Sequence, residues 1–222
     1  MNDHTDLKPV LEFLGGLQKN NNKTWFEAHR SSYENAKGKF EAFIDGLILG
    51  FGSVEDLGGV TAKDCVMRIY RDIRFSKDKS PYKQNMSASI GPGGKKSMRL
   101  TYYLHLEPPD ASMIAGGLHD PDSSQITKFR DAIDRDARSF KKVVNKAAFK
   151  QYFGAVQGEK LKTVPRGYVR DHPDIELLRM KEVVAIQRLT DSQVLSPKFS
   201  AYVIDAFTAM KPFLDYLNSV IG

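Results

Sequence analysis

A single cysteine, Cys65, stands among 222 residues, so no intramolecular disulfide can form and no cysteine-based zinc cluster can be built. That scarcity suits a reducing compartment, and the cytoplasm is the expected location. Long apolar runs are also missing. No stretch approaches the ~18 apolar residues that a bilayer span requires, and the opening MNDHTDLKPV lacks the apolar core of a signal peptide, so no membrane partner is expected. Internal repeats and low-complexity tracts are absent. What remains is ordinary for a globular chain: 41% hydrophobic and 27% charged residues suffice for a core and exclude a disordered tail, a collagen or a disulfide scaffold.

Net charge is modest overall and concentrated locally. The chain carries 33 Lys+Arg against 27 Asp+Glu, a net of +6, yet Val66–Arg99 alone holds nine basic residues (Arg68, Arg71, Arg74, Lys77, Lys79, Lys83, Lys95, Lys96, Arg99) and two acids (Asp72, Asp78). This segment is therefore +7 and the rest of the chain −1. A localised positive field favours an anionic partner without requiring nucleic acid.

Hydrophobic periodicity divides the chain into three stretches of one α+β domain spanning 1–222. In residues 1–59, Val10, Phe13, Leu14 and Leu17 predict a short helix. Thr24 with Glu27 forms a capping box ahead of a second, longer helix with an aromatic face that includes Trp25, Phe26, His29, Tyr33, Phe40 and Phe43. In residues 60–120 the period shortens, and Cys65–Phe75, Asn85–Ile90, Met98–Glu107 and Ser112–Leu118 read as antiparallel strands. Gly91-Pro92-Gly93-Gly94 and Pro108-Pro109-Asp110 supply the hairpin connections. Residues 121–222 are mainly helical, with Asp122 or Ser123 as N-cap, one further strand at Val183–Leu189, and a last helix opened by Ser196-Pro197 that Pro212 should kink or split. Helices packed on a mainly antiparallel sheet at both ends of the chain define the expected architecture.

The candidate site lies in Arg68–Lys83. Read as a strand, Arg68, Tyr70, Asp72 and Arg74 share one face, with Ile69, Arg71, Ile73 and Phe75 on the other. Guanidinium forks match carboxylate or phosphate oxygens bidentately, so an oxyanion site built from Arg68, Tyr70, Arg71, Arg74, Lys79 and Lys83 is the functional expectation. A salt-bridge lattice that binds nothing is the structural alternative. Arg71, on an otherwise apolar face, needs a buried acidic or carbonyl partner, or the strand must bulge there. Asp72, Asp78 and Tyr82 are the candidate proton-transfer groups.

The strings RIYRDIRFSKDKSPYK, FLGGLQKNNNKTWFEAHRSSYE, YYLHLEP and LKTVPRGYVRDHPDIELLRMK together resemble the uncharacterised conserved hypothetical family known as domain of unknown function 2461. The resemblance runs from about Leu11 to Leu217. It implies one domain and brings no reaction, ligand or catalytic residue with it.

Other motifs read as structure. Ser76–Lys79 and Ser80–Lys83 both have Ser-x-x-Lys spacing, but they fall in a loop and the rest of that catalytic pattern is missing. Gly91-Pro-Gly-Gly-Lys-Lys-Ser97 has the wrong spacing for a phosphate loop and reads as a hairpin tip adding Lys95 and Lys96 to a basic rim. His105 and Glu107 share a strand face, whereas His119 falls some 17 Å farther along at ~3.4 Å per residue, so no metal site is expected. His172 reads as a cap or surface residue and His29 as a core histidine.

The leading expectation is thus a domain that binds a small phosphate- or carboxylate-bearing ligand, with catalysis left open and no cofactor indicated. Nucleic-acid binding through basic residues interleaved with Tyr70, Phe75, Tyr82, Tyr102 and Tyr103 is the second reading, although no nucleic-acid-binding module is present. A non-catalytic domain docking an acidic protein is the third. Oligomeric state is not readable from the sequence.

Overall fold

Pro9 in the first turn and the apolar spacing behind it produce α1 (Lys8–Lys19), which buries Val10, Leu11, Phe13, Leu14 and Leu17 in a computed structural model that describes residues 6–222. Asn22, not Thr24, caps the next helix: its side chain accepts a hydrogen bond from the Trp25 amide at 2.9 Å and starts α2 (Lys23–Ala28). The expected single long helix breaks at His29, whose φ of −111° and ψ of 21° are not helical. α3 (Arg30–Phe51) follows and buries Phe40, Phe43, Ile44, Leu47 and Phe51, each contributing about 1.5–3 kcal/mol of transfer free energy. A Thr61/Asp64 capping box then starts the single turn α4 (Ala62–Cys65).

The strand expected over Cys65–Phe75 does not form. Cys65 closes α4, and the stretch beyond it contributes only isolated antiparallel bridges, Val66 to Ala88 and Tyr70 to Tyr82. The reason is local competition. The carboxylates of Asp72 and Asp78 accept from the amides of Arg74 and Ser80, at 3.3 and 2.9 Å, which turns the backbone away from a ladder.

The remaining strand expectations hold within a few residues: β1 (Met86–Ile90), β2 (Tyr102–Leu106), β3 (Ser112–Leu118) and β4 (Val183–Leu189) form one antiparallel sheet in the order β1-β2-β3-β4. β1 pairs with β2 from Met86 opposite Leu106 to Ile90 opposite Tyr102. Between them Gly94, at φ +55°, lies so close to the Asp64 carbonyl that a Cβ would approach its oxygen to 2.5 Å. Only glycine fits that approach. It opens a short 3-10 turn, Gly94–Lys96, within the expected hairpin connection between β1 and β2.

Between β3 and β4 lie α5 (Ser123–Asp136), α6 (Arg138–Val144), α7 (Ala147–Phe153) and α8 (Ile175–Leu178); α9 (Asp191–Val194) and α10 (Phe199–Ile221) follow. Asp122 takes the α5 cap in a box with Gln125. α10 remains one element through Pro212, with Phe207, Met210, Phe213, Leu214 and Leu217 all buried around it. The protein is α+β. No helix among the described residues is long and apolar enough to cross a membrane.

The chain divides into two compact units. The first comprises residues through Met98, Tyr102–Ile114 and Arg188–Asp205. Its core joins α1 and α3 to the Ala88, Ile90, Leu104 and Leu106 face of the sheet, and Phe43 stacks on Phe199 at 5.4 Å. The second comprises Arg99–Thr101, Ala115–Gln187 and Ala206–Gly222. Its core is aromatic: Phe129 meets Phe140 edge-on at 5.3 Å, and Phe149 lies 5.3 Å from Phe213.

Candidate anion-binding site

All the sequence-derived site residues lie in the first unit. The Ile69–Arg71 and Pro81–Lys83 stretches run antiparallel, with the Lys83 amide donating to the Ile69 carbonyl at 2.7 Å and the Arg71 amide to the Pro81 carbonyl at 3.0 Å. This clasp closes the loop between them. Beneath it, Phe26 of α2 stacks on buried Tyr82 at 4.0 Å and lies 6.1 Å from Tyr70, so an aromatic floor fixes the clasp against the core.

The two sides of the clasp differ in what their cations touch. Arg71 is satisfied within the loop: it pairs with Asp78, donates to the Ser80 carbonyl at 3.1 Å and to the Ser80 hydroxyl, and reaches the Ser76 hydroxyl at 3.3 Å. Asp78 and the Ser80 carbonyl are the acidic and carbonyl partners that its position demanded. Hydrogen bonds from Ser80 and Arg71 hold the Asp78 carboxyl down at about 2, so this group stays ionised at neutral pH and cannot act there as a general acid. Arg74 is forked onto Asp72 at 3.0 and 2.6 Å, and Lys79 donates to the Ile73 carbonyl at 3.0 Å. Both Ser-x-x-Lys hydroxyls are therefore engaged with Arg71, not with the lysine three residues on.

On the other side, Arg68 and Lys83 face a cavity of about 530 Å³. Neither side chain makes a hydrogen bond or ion pair among the described residues. Lys37, Lys63 and Lys95 also line this cavity, and Glu41 is its one acid. Glu41 already pairs with Lys37 at 3.3 Å. Lys95 is held inward by the carbonyls of Lys63 and Val66, at 2.6 and 3.2 Å. Burial and the adjacent Arg68 charge both push the Lys83 ammonium below its ordinary value. An anion placed between the two cations would relieve that repulsion. Tyr33 and Tyr70 complete the wall.

Of the sequence-derived ligand set, the fold thus brings Arg68, Tyr70 and Lys83 to one cavity and directs Arg71, Arg74 and Lys79 into the loop's own bonding. Tyr82 is 3% exposed and serves as the floor. Lys37, Glu41 and Lys63 were missed: the first two come from a helix distant in sequence, Lys63 sits in the turn just ahead of the segment, and none carries a local motif. The i,i+4 spacing of Lys37 and Glu41 was the available signal, and it reads equally as a solvated helix face.

The histidines separate. His105 bonds Glu107 at 2.7 Å and His119 bonds Glu182 at 2.7 Å, and no group of three metal-ligating side chains occurs among the described residues. His172 accepts from the Asp174 amide at 3.0 Å and lies 3.2 Å from Asp134. His29 is not in the core: it caps α2, half-buried and stacked on Trp25 at 4.0 Å.

A family model described as conserved hypothetical protein (DUF2461) matches residues 9–216. No curated protein and no solved structure matches.

Proposed function

For a chain that belongs to the conserved hypothetical protein family DUF2461, we propose the binding of a small anionic ligand, a phosphate or a carboxylate, between Arg68 and Lys83. One observation carries the reading: these two cations face a common cavity without a hydrogen-bonding acid, while Arg71 and Arg74 three and six residues beyond Arg68 are each paired with one. A carboxylate or phosphate oxygen there gains charge-assisted hydrogen bonds that the fold leaves unmade. The single, buried Cys65 agrees with a cytoplasmic setting. Titration calorimetry with inorganic phosphate and with acetate tests the site. Arg68→Ala should weaken the anion that binds by roughly tenfold or more, and unchanged affinity in that variant would overturn the assignment.

Nucleic acid is the second reading, favoured by Phe75. This ring is 95% exposed with the Arg74 guanidinium 5.9 Å from its centre, an arrangement suited to stacking on an unpaired base. Binding of a labelled single-stranded oligonucleotide that weakens steeply with salt and is lost in Phe75→Ala would favour it; affinity indifferent to salt would eliminate it.

A further inference from the structure

Lys83 and Asn85 line two cavities at once. The second, of about 270 Å³, is also bordered by Arg71, Asp78, Ser80, Gln84 and Glu107. Its chemistry differs from that of its neighbour. Two cations are balanced by two carboxylates, and the rest of the polar wall is hydroxyl and amide. Such a mixture repels a bare anion less selectively than it attracts neutral hydroxyls, each of which donates one hydrogen bond and accepts others.

The hydrogen-bonding capacity of this wall is only partly used. Buried His105 holds the Glu107 carboxylate at 2.7 Å through Nε2 and Oε2. An ionised carboxylate only accepts, so Nε2 carries the proton, and Nδ1 accepts from the Tyr103 hydroxyl at 3.3 Å. Burial holds the imidazole below its ordinary value, which keeps this tautomer neutral at pH 7. The groups facing it are Glu107 and Tyr103 of its own strand stretch, Ser87 opposite it on β1, and the charges of Lys83 and Arg188. Glu107 is therefore fixed by one oxygen. Its Oε1 and the side-chain amides of Gln84 and Asn85 make no hydrogen bond among the described residues.

We propose that this second cavity reads hydroxyl groups on the ligand whose charge is held by Arg68 and Lys83, so that the ligand is a hydroxylated anion, a sugar phosphate or sugar acid. The inference rests on the anion reading above. Lys83 and Asn85 tie the two together: both residues line both cavities, so the charged end and the first hydroxylated carbons of one ligand meet the same pair of residues. Glu107 Oε1 accepts a ligand hydroxyl, and the amides of Gln84 and Asn85 bond to the next.

The test compares matched pairs by titration calorimetry: inorganic phosphate against glucose 6-phosphate, and acetate against gluconate. The phosphate pair winning identifies a sugar phosphate, and the carboxylate pair winning identifies a sugar acid. In either pair the hydroxylated member should bind at least ~tenfold tighter, from one or two added hydrogen bonds to a charged group. Glu107→Ala should abolish that preference. Gln84→Ala, on an exposed residue where folding is not at stake, should reduce the preference by a smaller factor. A simple anion that binds through Arg68 with no preference for its hydroxylated partner overturns this inference and leaves the anion site standing, as does a preference that survives both substitutions. Failure of the whole panel to bind the unsubstituted protein overturns the anion site and this inference together.

Discussion

Arg68 and Arg71 stand three residues apart on one short stretch of chain and meet opposite fates. Arg71 is enclosed by a carboxylate, a carbonyl and two hydroxyls of its own loop. Arg68 lines a cavity together with a second cation, Lys83, and makes no hydrogen bond or ion pair there among the described residues, although the Asp72 carboxylate lies within its electrostatic reach. The same side chain thus closes a loop in one place and leaves an electrostatic demand in the other. Residue type alone does not separate a lattice from a site; what decides is whether the surroundings supply the counter-charge.

The strongest way to break this contrast is to remove both cavity cations. Arg68→Ala combined with Lys83→Ala should lower the affinity for the bound anion by about a hundredfold, or ~2.7 kcal/mol, with the melting midpoint within ~2 °C of the unsubstituted protein. A large stability loss instead would show these cations to be structural. Arg71→Ala should do the reverse. Losing its bonds to Ser80 and Ser76 costs about 1–2 kcal/mol, a fall of roughly 3–6 °C in midpoint for a chain of this size, with anion affinity within ~threefold. Calorimetry on the same two samples decides both points.

Acid sharpens the contrast from the loop side. Because the folded Asp78 carboxyl is held at about 2, below the ~3.9 of an unfolded chain, its stabilising contribution is complete above that unfolded value and is lost as pH falls from 4 toward 2. Amide-exchange protection across Ile73–Lys79, taken relative to the free chain at each pH, should fall over that window, and Asp78→Asn should remove the pH dependence. The smallest effect belongs to His105. Its folded value is depressed by burial, so its contribution is complete above about 6.5 and declines as pH falls below it. Imidazole shifts in an NMR titration should show His105 still neutral at a pH where free histidine is half protonated.

Much of the secondary structure was readable because local rules sufficed. Val10, Phe13, Leu14 and Leu17 announce α1, and Asp122 with Gln125 announces α5, since periodicity and capping act within a few residues. The Cys65–Phe75 strand was misread because alternation is only a necessary condition for a strand: Asp72 and Asp78 offer the backbone amides a nearer partner than a neighbouring strand. His29 was misplaced for a related reason, since its aromatic surroundings resemble a core face until the break between α2 and α3 is known. Pro212 was expected to kink or split α10; it does not split it, and buried side chains on both sides of it hold the helix as one element.

At the candidate site the division is similar. The sequence by itself determined the α+β class, the family, the local excess of positive charge in Val66–Arg99 and the need of Arg71 for a partner, because each follows from composition or from neighbours along the chain. The tertiary structure alone decided which cations are spent and which are not. It folded Asp78 and Ser80 back onto Arg71, brought Lys37 and Lys63 from separate helices to join Arg68 and Lys83, and set Glu107 beside Lys83 with His105 behind it. Electrostatic compensation depends on distances through space, and those are fixed only when the chain has closed on itself.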